Sequence, residues 1–220
     1  MYFLIFLSLA TAAIATVADS RFILYYDQWH TKKLPTKSLT AGVTHVMMSF
    51  ANSSLFVSQP QGEYRPFQPV EDVRALFDSN VQVCMAIGGW GDTIGFSEAA
   101  KSDKTRKNFA KNIASTVDML GFDCVDIDWE YPGGNGDDYK SIPNKKKEYE
   151  IQSFPRLLGE VKKAIGDKEL SIAVPGHSRD MIAYTSNQVP EINRAVDFVN
   201  VGPTKMHIIR IKRKEKLLTL

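Results

Sequence analysis

The chain predicts a parallel α/β fold on two observations. Short strand-length runs alternate with amphipathic helical runs along most of its length, and the strand runs are apolar at both parities, the pattern of strands covered on both faces. A third observation bears on function: one of those runs carries four carboxylates, at Asp123, Asp126, Asp128 and Glu130.

Taken in order, residues 1–18 (MYFLIFLSLATAAIATVA) are apolar over the length of a signal-peptide core and end in small residues, with Thr16 and Ala18 at the small positions of a cleavage site. The expectation is a signal peptide, a secreted, extracellular mature chain, and no membrane contact after cleavage. An anchoring helix is the alternative, because the usual positive charge near the start is absent. No other segment is long enough to span a bilayer. Strands are predicted over Arg21–Tyr26, Val43–Ala51 and Val81–Trp90, with Ser58–Pro69 as an extended loop. Lys104–Leu120 has apolar residues at helical spacing, with Ser102 and Asp103 as caps. The acidic run is the fourth strand, Lys147–Ile165 a second amphipathic helix, and Leu170–Gly176 and Asp197–Val201 the fifth and sixth strands.

The acidic run, FDCVDIDWEYPGG from Phe122 to Gly134, carries the chemistry. Strand side chains alternate faces, so Asp126, Asp128 and Glu130 share one face while Val125, Ile127 and Trp129 share the other. Asp123 falls on the opposite parity and reads as a structural, strand-entry carboxylate. Charges a few Å apart raise one another's pKa, so the row predicts a shared proton near its middle and a protonated Glu130 at its end, a general acid. A metal site and a solvated acidic edge are the alternatives; a metal would want mixed oxygen ligands on loops rather than one apolar strand.

The pattern D-x-x-D-x-D-x-E followed by Tyr131 and Pro132 resembles the catalytic strand of family 18 glycoside hydrolases, the chitinases and their relatives. A second block, VCMAIGGWG from Val83 to Gly91, resembles the third strand of the same family. Ala86 stands where that family usually has a serine, so a hydroxyl for the acidic row is missing, and Cys124 stands where it usually has glycine. The resemblance implies a (β/α)8 TIM barrel, incomplete here with about six of eight strands recognisable. It implies hydrolysis of chitin or chito-oligosaccharides, with Glu130, Asp128 and Asp126 catalytic. Tyr25, Phe50, Gly89, Trp90 and Tyr131 would bind substrate at the carboxyl ends of the strands, and Gly88 would be structural. An endo-β-N-acetylglucosaminidase is the near alternative; a lectin-like binder and an inactive truncated product are the others.

A barrel of this kind needs about 250 residues. After Val201 the sequence GPTKMHIIRIKRKEKLLTL has no strand-turn-helix logic and sets Lys205, Arg210, Lys212, Arg213, Lys214 and Lys216 against Glu215 alone. Residues 19–201 are therefore expected to form a partial barrel and 202–220 an aberrant basic tail outside it, from truncation or mis-splicing. Six strands would leave Arg21–Tyr26 without a neighbour on one side, admit water beside the acidic row, and lower the pKa of Glu130 toward that of an exposed glutamate. Cys84 and Cys124 both face the barrel interior by parity, in layers expected to differ, so two buried free thiols are predicted.

Composition excludes other classes. The 220 residues are 44% hydrophobic and 24% charged with a formal net charge of +2, an ordinary globular balance. His30, His45, His177 and His207 have no ligand spacing, so no metal is implied. Phosphate-cradling loops are absent and no cofactor is expected. The basic tail lacks aromatic interleaving and conflicts with a secretory leader, so no nucleic-acid partner is expected, and the protein is expected to be monomeric. Asn52-Ser53-Ser54 satisfies the N-glycosylation pattern at the end of the second strand, where a glycan would crowd the site.

Overall fold

The computed structural model describes residues 20–31, 36–58, 64–202 and 210–211. The expected signal peptide and most of the basic tail lie outside the described residues. Strand β1 (Arg21–Asp27) leads through α1 (Lys37–Thr40) to β2 (His45–Ala51), then α2 (Leu55–Ser58) and α3 (Val70–Arg74) to β3 (Gln82–Gly88). Helices α4 (Ile94–Ala100) and α5 (Asp103–Leu120) precede β4 (Cys124–Asp128); α6 (Glu148–Ile165) precedes β5 (Glu169–Pro175); α7 (Val189–Ala195) precedes β6 (Phe198–Gly202). The sequence reading missed α1, α2, α3, α4 and α7, which have four to seven residues, too few to show a 3.6-residue period.

The two long helices follow from local signals. Ser102 and Thr105 form a capping box at the start of α5, and Gly121 ends it at φ 76°. The helices' buried apolar residues, Phe109, Ile113 and Val117 of α5 and Phe154, Leu158 and Val161 of α6, join one core with the outward residues of the strands.

Six strands are parallel and paired in chain order, giving the sheet order β6-β5-β4-β3-β2-β1. Alternate side chains divide the core in two. Val46, Met48, Val83, Met85, Ile87, Val125, Ile127 and Trp129 pack outward against the helices. Ile23, Met47, Cys84, Ala86, Cys124 and Phe198 form a smaller cluster on the other face, with Tyr25 and Phe50 against it. That cluster spans β1 to β6, so the sheet is curled: it is a partial (β/α)8 barrel with a concave interior. Across its base Glu169 of β5 accepts hydrogen bonds from Arg21 of β1 (2.5 Å) and, at 2.7 Å, pairs with His45 of β2, while the His45 and Phe198 rings lie 5.2 Å apart.

Two expectations are corrected here. Cys84 and Cys124 are not free thiols; they form a disulfide with Cα atoms 4.4 Å apart. The reason is register: β3 and β4 pair Cys84 directly with Cys124, so the two inward side chains share a layer. Nor are the two aspartates of the acidic row opened to water. Asp126 is fully buried and Asp128 is 4% exposed, because side chains from β1, β5 and β6 close over them. At the β1 edge, β7 (Arg210–Ile211) pairs antiparallel with Arg21 and Phe22, within the segment for which no strand was expected.

Candidate active site

The carboxyl ends of the strands surround a cavity of about 1050 Å³, lined by Tyr25, Asp27 and Trp29 from β1 and the loop after it, Phe50 and Asn52 from the end of β2, Gly88 to Trp90 and Asp92 from the end of β3, and Asp128, Glu130 and Tyr131. Ala173, Val174 and Pro175 of β5 and Asn200 of β6 complete it. The structure thus brings Tyr25, Phe50, Gly88, Gly89, Trp90, Asp128, Glu130 and Tyr131 to one place. Asp126 lies beneath them in the interior. Asp123 stands apart at the entry of β4, where it accepts from Arg74 Nη1 (2.6 Å) and the Val83 N–H (2.8 Å), a structural tie between strands.

Phe50 reaches the cavity through an irregularity. Parity alone would send it outward with Val46 and Met48, but the β2–β3 register shifts between Ser49 and Ala51, a bulge that re-aims one residue. Its ring then sits 6.3 Å from that of Tyr25. The peptide bonds Ser49-Phe50 and Glu130-Tyr131 are cis. Gly88 has φ +112°, and a Cβ there would lie 2.1 Å from the Asp128 carbonyl oxygen, so only glycine lets the ends of β3 and β4 approach this closely. The Gly89 N–H donates to that same carbonyl at 2.8 Å. Trp90 stands 58% exposed at the rim with Tyr131 edge-on at 6.4 Å, and Trp29 is 67% exposed. Trp129, on the opposite parity, stacks on Phe96 at 5.3 Å in the outer core.

The acids are graded by depth. Asp126 accepts three hydrogen bonds, from Ser171 Oγ (2.5 Å), Tyr25 Oη (2.8 Å) and Asn200 Nδ2 (3.1 Å). Burial raises its pKa and those donors pull it back. Asp128 is held well above the carboxylate range by burial first, then by the charges of Glu130 and Asp126 on either side. Burial also raises Glu130, and a hydrogen bond from Tyr131 offsets part of the rise. The expected fall of Glu130 toward an exposed glutamate is therefore overturned. Arranged this way, Asp128 at the middle of the row is biased toward its protonated form, and Glu130 presents its carboxyl group to the cavity.

Sequence reasoning missed Ser171 and Asn200. Ser171 pairs in register with Asp126 from β5 while Ala86 flanks it from β3, so the hydroxyl absent at Ala86 is supplied from the other side. The signal was present: both are polar residues at inward parity in apolar strands. Asp92 was missed too, and Asn52 was read only as a glycosylation acceptor beside the site. Ser53, the middle residue of the glycosylation pattern, is buried and gives its N–H (2.6 Å) and hydroxyl (2.5 Å) to Asp92, while Asn52 is exposed at the cavity wall.

The model of the family described as Glycosyl hydrolases family 18 matches residues 21–207. The chain belongs to that family. Among its relatives, a chitinase-like effector of Moniliophthora roreri is 33% identical over 137 residues, 59% of this chain and 32% of its own length. The endochitinase of Manduca sexta is 28% identical over 218 residues, 88% of this chain and 37% of its own length. The structure also superposes on an Ostrinia furnacalis Group II chitinase catalytic domain, an E2180L mutant in complex with penta-N-acetylchitooctaose. The TM-score is 0.61 at 22% identity, covering 82% of this chain and 50% of that one. The family 18 chain described here thus spans about a third of the length of these curated relatives.

Proposed function

We propose that this chain carries the acid half of a family 18 chitinase site and hydrolyses β-1,4-linked N-acetylglucosamine polymers by substrate-assisted retention. The observation that carries the reading is the acid row: two buried aspartates, Asp126 and Asp128, followed by Glu130, which opens into a cavity walled by Tyr25, Phe50, Trp90 and Tyr131. Aromatic rings suit the flat C–H faces of pyranoses. The chitinase relatives and the neighbour bound to a chito-oligosaccharide support that substrate class.

In this reading Glu130 protonates the glycosidic oxygen as its bond to the anomeric carbon breaks. The substrate's own 2-acetamido oxygen attacks that carbon and forms an oxazolinium ion, the substrate-assisted exception to the two-carboxylate scheme. Asp128 orients the acetamido N–H and stabilises the positive charge developing there. Asp126, steadied by Tyr25, Ser171 and Asn200, takes up the change in charge when Asp128 shares its proton. Water, deprotonated by Glu130, then attacks the anomeric carbon as its bond to the acetamido oxygen breaks, which restores the acetamido group and leaves the β anomer; no cofactor enters. The mature protein acts outside the cell as a monomer.

The test is Glu130→Gln. It should lower hydrolysis of N-acetylglucosamine oligomers by about a hundredfold or more, the scale of a general acid, while calorimetry shows oligomer binding retained. Fresh wild-type product should be the β anomer by NMR. Undiminished turnover in the variant removes Glu130 from the mechanism. Binding without turnover in the wild type would instead make the chain a chitin-binding, lectin-like protein.

A further inference from the structure

Behind the acid row, Glu150 is the third residue of α6 and is fully buried. A carboxylate so placed costs several kcal/mol unless it is hydrogen-bonded. Both its oxygens are engaged: Oε1 accepts from Ser97 Oγ of α4 at 2.6 Å, and Oε2 accepts from the Gly133 N–H at 2.9 Å. Gly133 follows Glu130 by three residues. It has φ +87°, and a Cβ there would lie 2.9 Å from Ile151 and 3.0 Å from Ile182, so the amide reaches Glu150 only because the residue is glycine.

The same loop is gripped a second time. Lys147, itself buried, donates to both oxygens of Asp138 at 2.6 Å, and Thr93 Oγ1 donates to Asp138 at 3.2 Å. Between these two anchors Gly136 folds back so closely that a Cβ on it would lie 2.5 Å from the Glu130 carbonyl oxygen. The backbone of Glu130 therefore rests on a loop whose height is set by α4 and α6, elements that contribute no side chain to the cavity. Burial raises the pKa of Glu150, and the hydrogen bonds from Ser97 and Gly133, followed by the charge of Lys147, oppose the rise.

We infer that Glu150 is a positioning residue for Glu130: through the Gly133 amide it fixes where the acid meets the glycosidic oxygen. The inference rests on the chitinase reading above. In the full chain, Glu150→Ala removes both acceptors, whereas Glu150→Gln keeps an oxygen for the Gly133 N–H and an amide for the Ser97 hydroxyl. Glu150→Ala should lower kcat on N-acetylglucosamine oligomers by about a hundredfold, the cost of an ångström-scale misplacement. Its KM should stay within about threefold, and Glu150→Gln should recover most of kcat. An unchanged kcat in Glu150→Ala, or a Glu150→Gln protein as impaired as the alanine variant, overturns the inference. If the alanine variant does not fold, Ser97→Ala, which deletes one of the two bonds, should lower kcat about tenfold at constant KM; no loss there also overturns it. Hydrogen exchange at the Gly133 amide needs no turnover: it should quicken in Glu150→Ala and stay slow in Glu150→Gln. An inactive wild type would thus defeat the chitinase reading, while unquickened exchange would defeat the tether itself.

Discussion

Asp126 illustrates how much a buried carboxylate depends on its donors. Three groups on three other strands, Tyr25, Ser171 and Asn200, donate to it and offset part of the rise that burial imposes on its pKa, each by favouring the anion over the acid. Removing one donor must raise the pKa. Ser171→Ala is therefore expected to move the acidic limb of the kcat profile to higher pH by about one to two units, since a hydrogen bond to a buried charge is worth about 1.5–3 kcal/mol and one unit is about 1.36. An unmoved limb would show that Asp126 does not titrate with activity. In Glu130 too the pKa is raised chiefly by burial, with Tyr131 offsetting part of the rise, so variants that let water in should lower it.

At the scale of elements, the β3–β4 pair carries the site. Gly88 allows the close approach at its carboxyl end, and the Cys84–Cys124 disulfide ties the same two strands two positions before Ala86 and Asp126. The bridge closes a sequence separation of 40 residues. Chain entropy alone then assigns it about 4 kcal/mol of stability. The paired Cys84→Ala, Cys124→Ala variant should lose stability of that order in guanidinium titrations, and a reducing agent added to the unfolding wild type should have the same effect. Equal midpoints with and without reductant would show that the bridge is not formed. Free-thiol counting under denaturing conditions gives an independent reading.

Over the whole molecule, the curl of the sheet is held at its base by Glu169, which joins β5 to Arg21 of β1 and His45 of β2. Its pKa is lowered from 4.5 to about 2, first by the hydrogen bond to His45 and then by Arg21. A depressed folded-state pKa gives stability that is present above the unfolded value and lost as pH falls through the folded one. The thermal midpoint of the wild type should therefore exceed that of Glu169→Gln at pH 7, and the gap should close as pH falls from about 4.5 toward 2. A constant gap over that range would show that the ion pair does not contribute. The raised acids of the row, Asp126, Asp128 and Glu130, act in the opposite sense, since their folded-state preference for the proton is lost as pH rises.

Much of this was legible in the residues themselves. Two-sided apolar strands separated by helices determine a parallel sheet, and the period of two determines that Asp126, Asp128 and Glu130 share a face, because both depend only on local geometry. The order of strands and the two long helices followed in the same way. What the tertiary structure alone decided is register and closure. One residue of bulge turned Phe50 from the core to the cavity. Direct pairing of positions 84 and 124 made a disulfide where layer counting had predicted two thiols. Ser171, Asn200 and Glu150 acquired their roles from partners 45, 74 and 17 residues away. Sequence patterns report which face a side chain takes; they carry no information on how far one strand slides along the next, and the chemistry of this site depends on that distance.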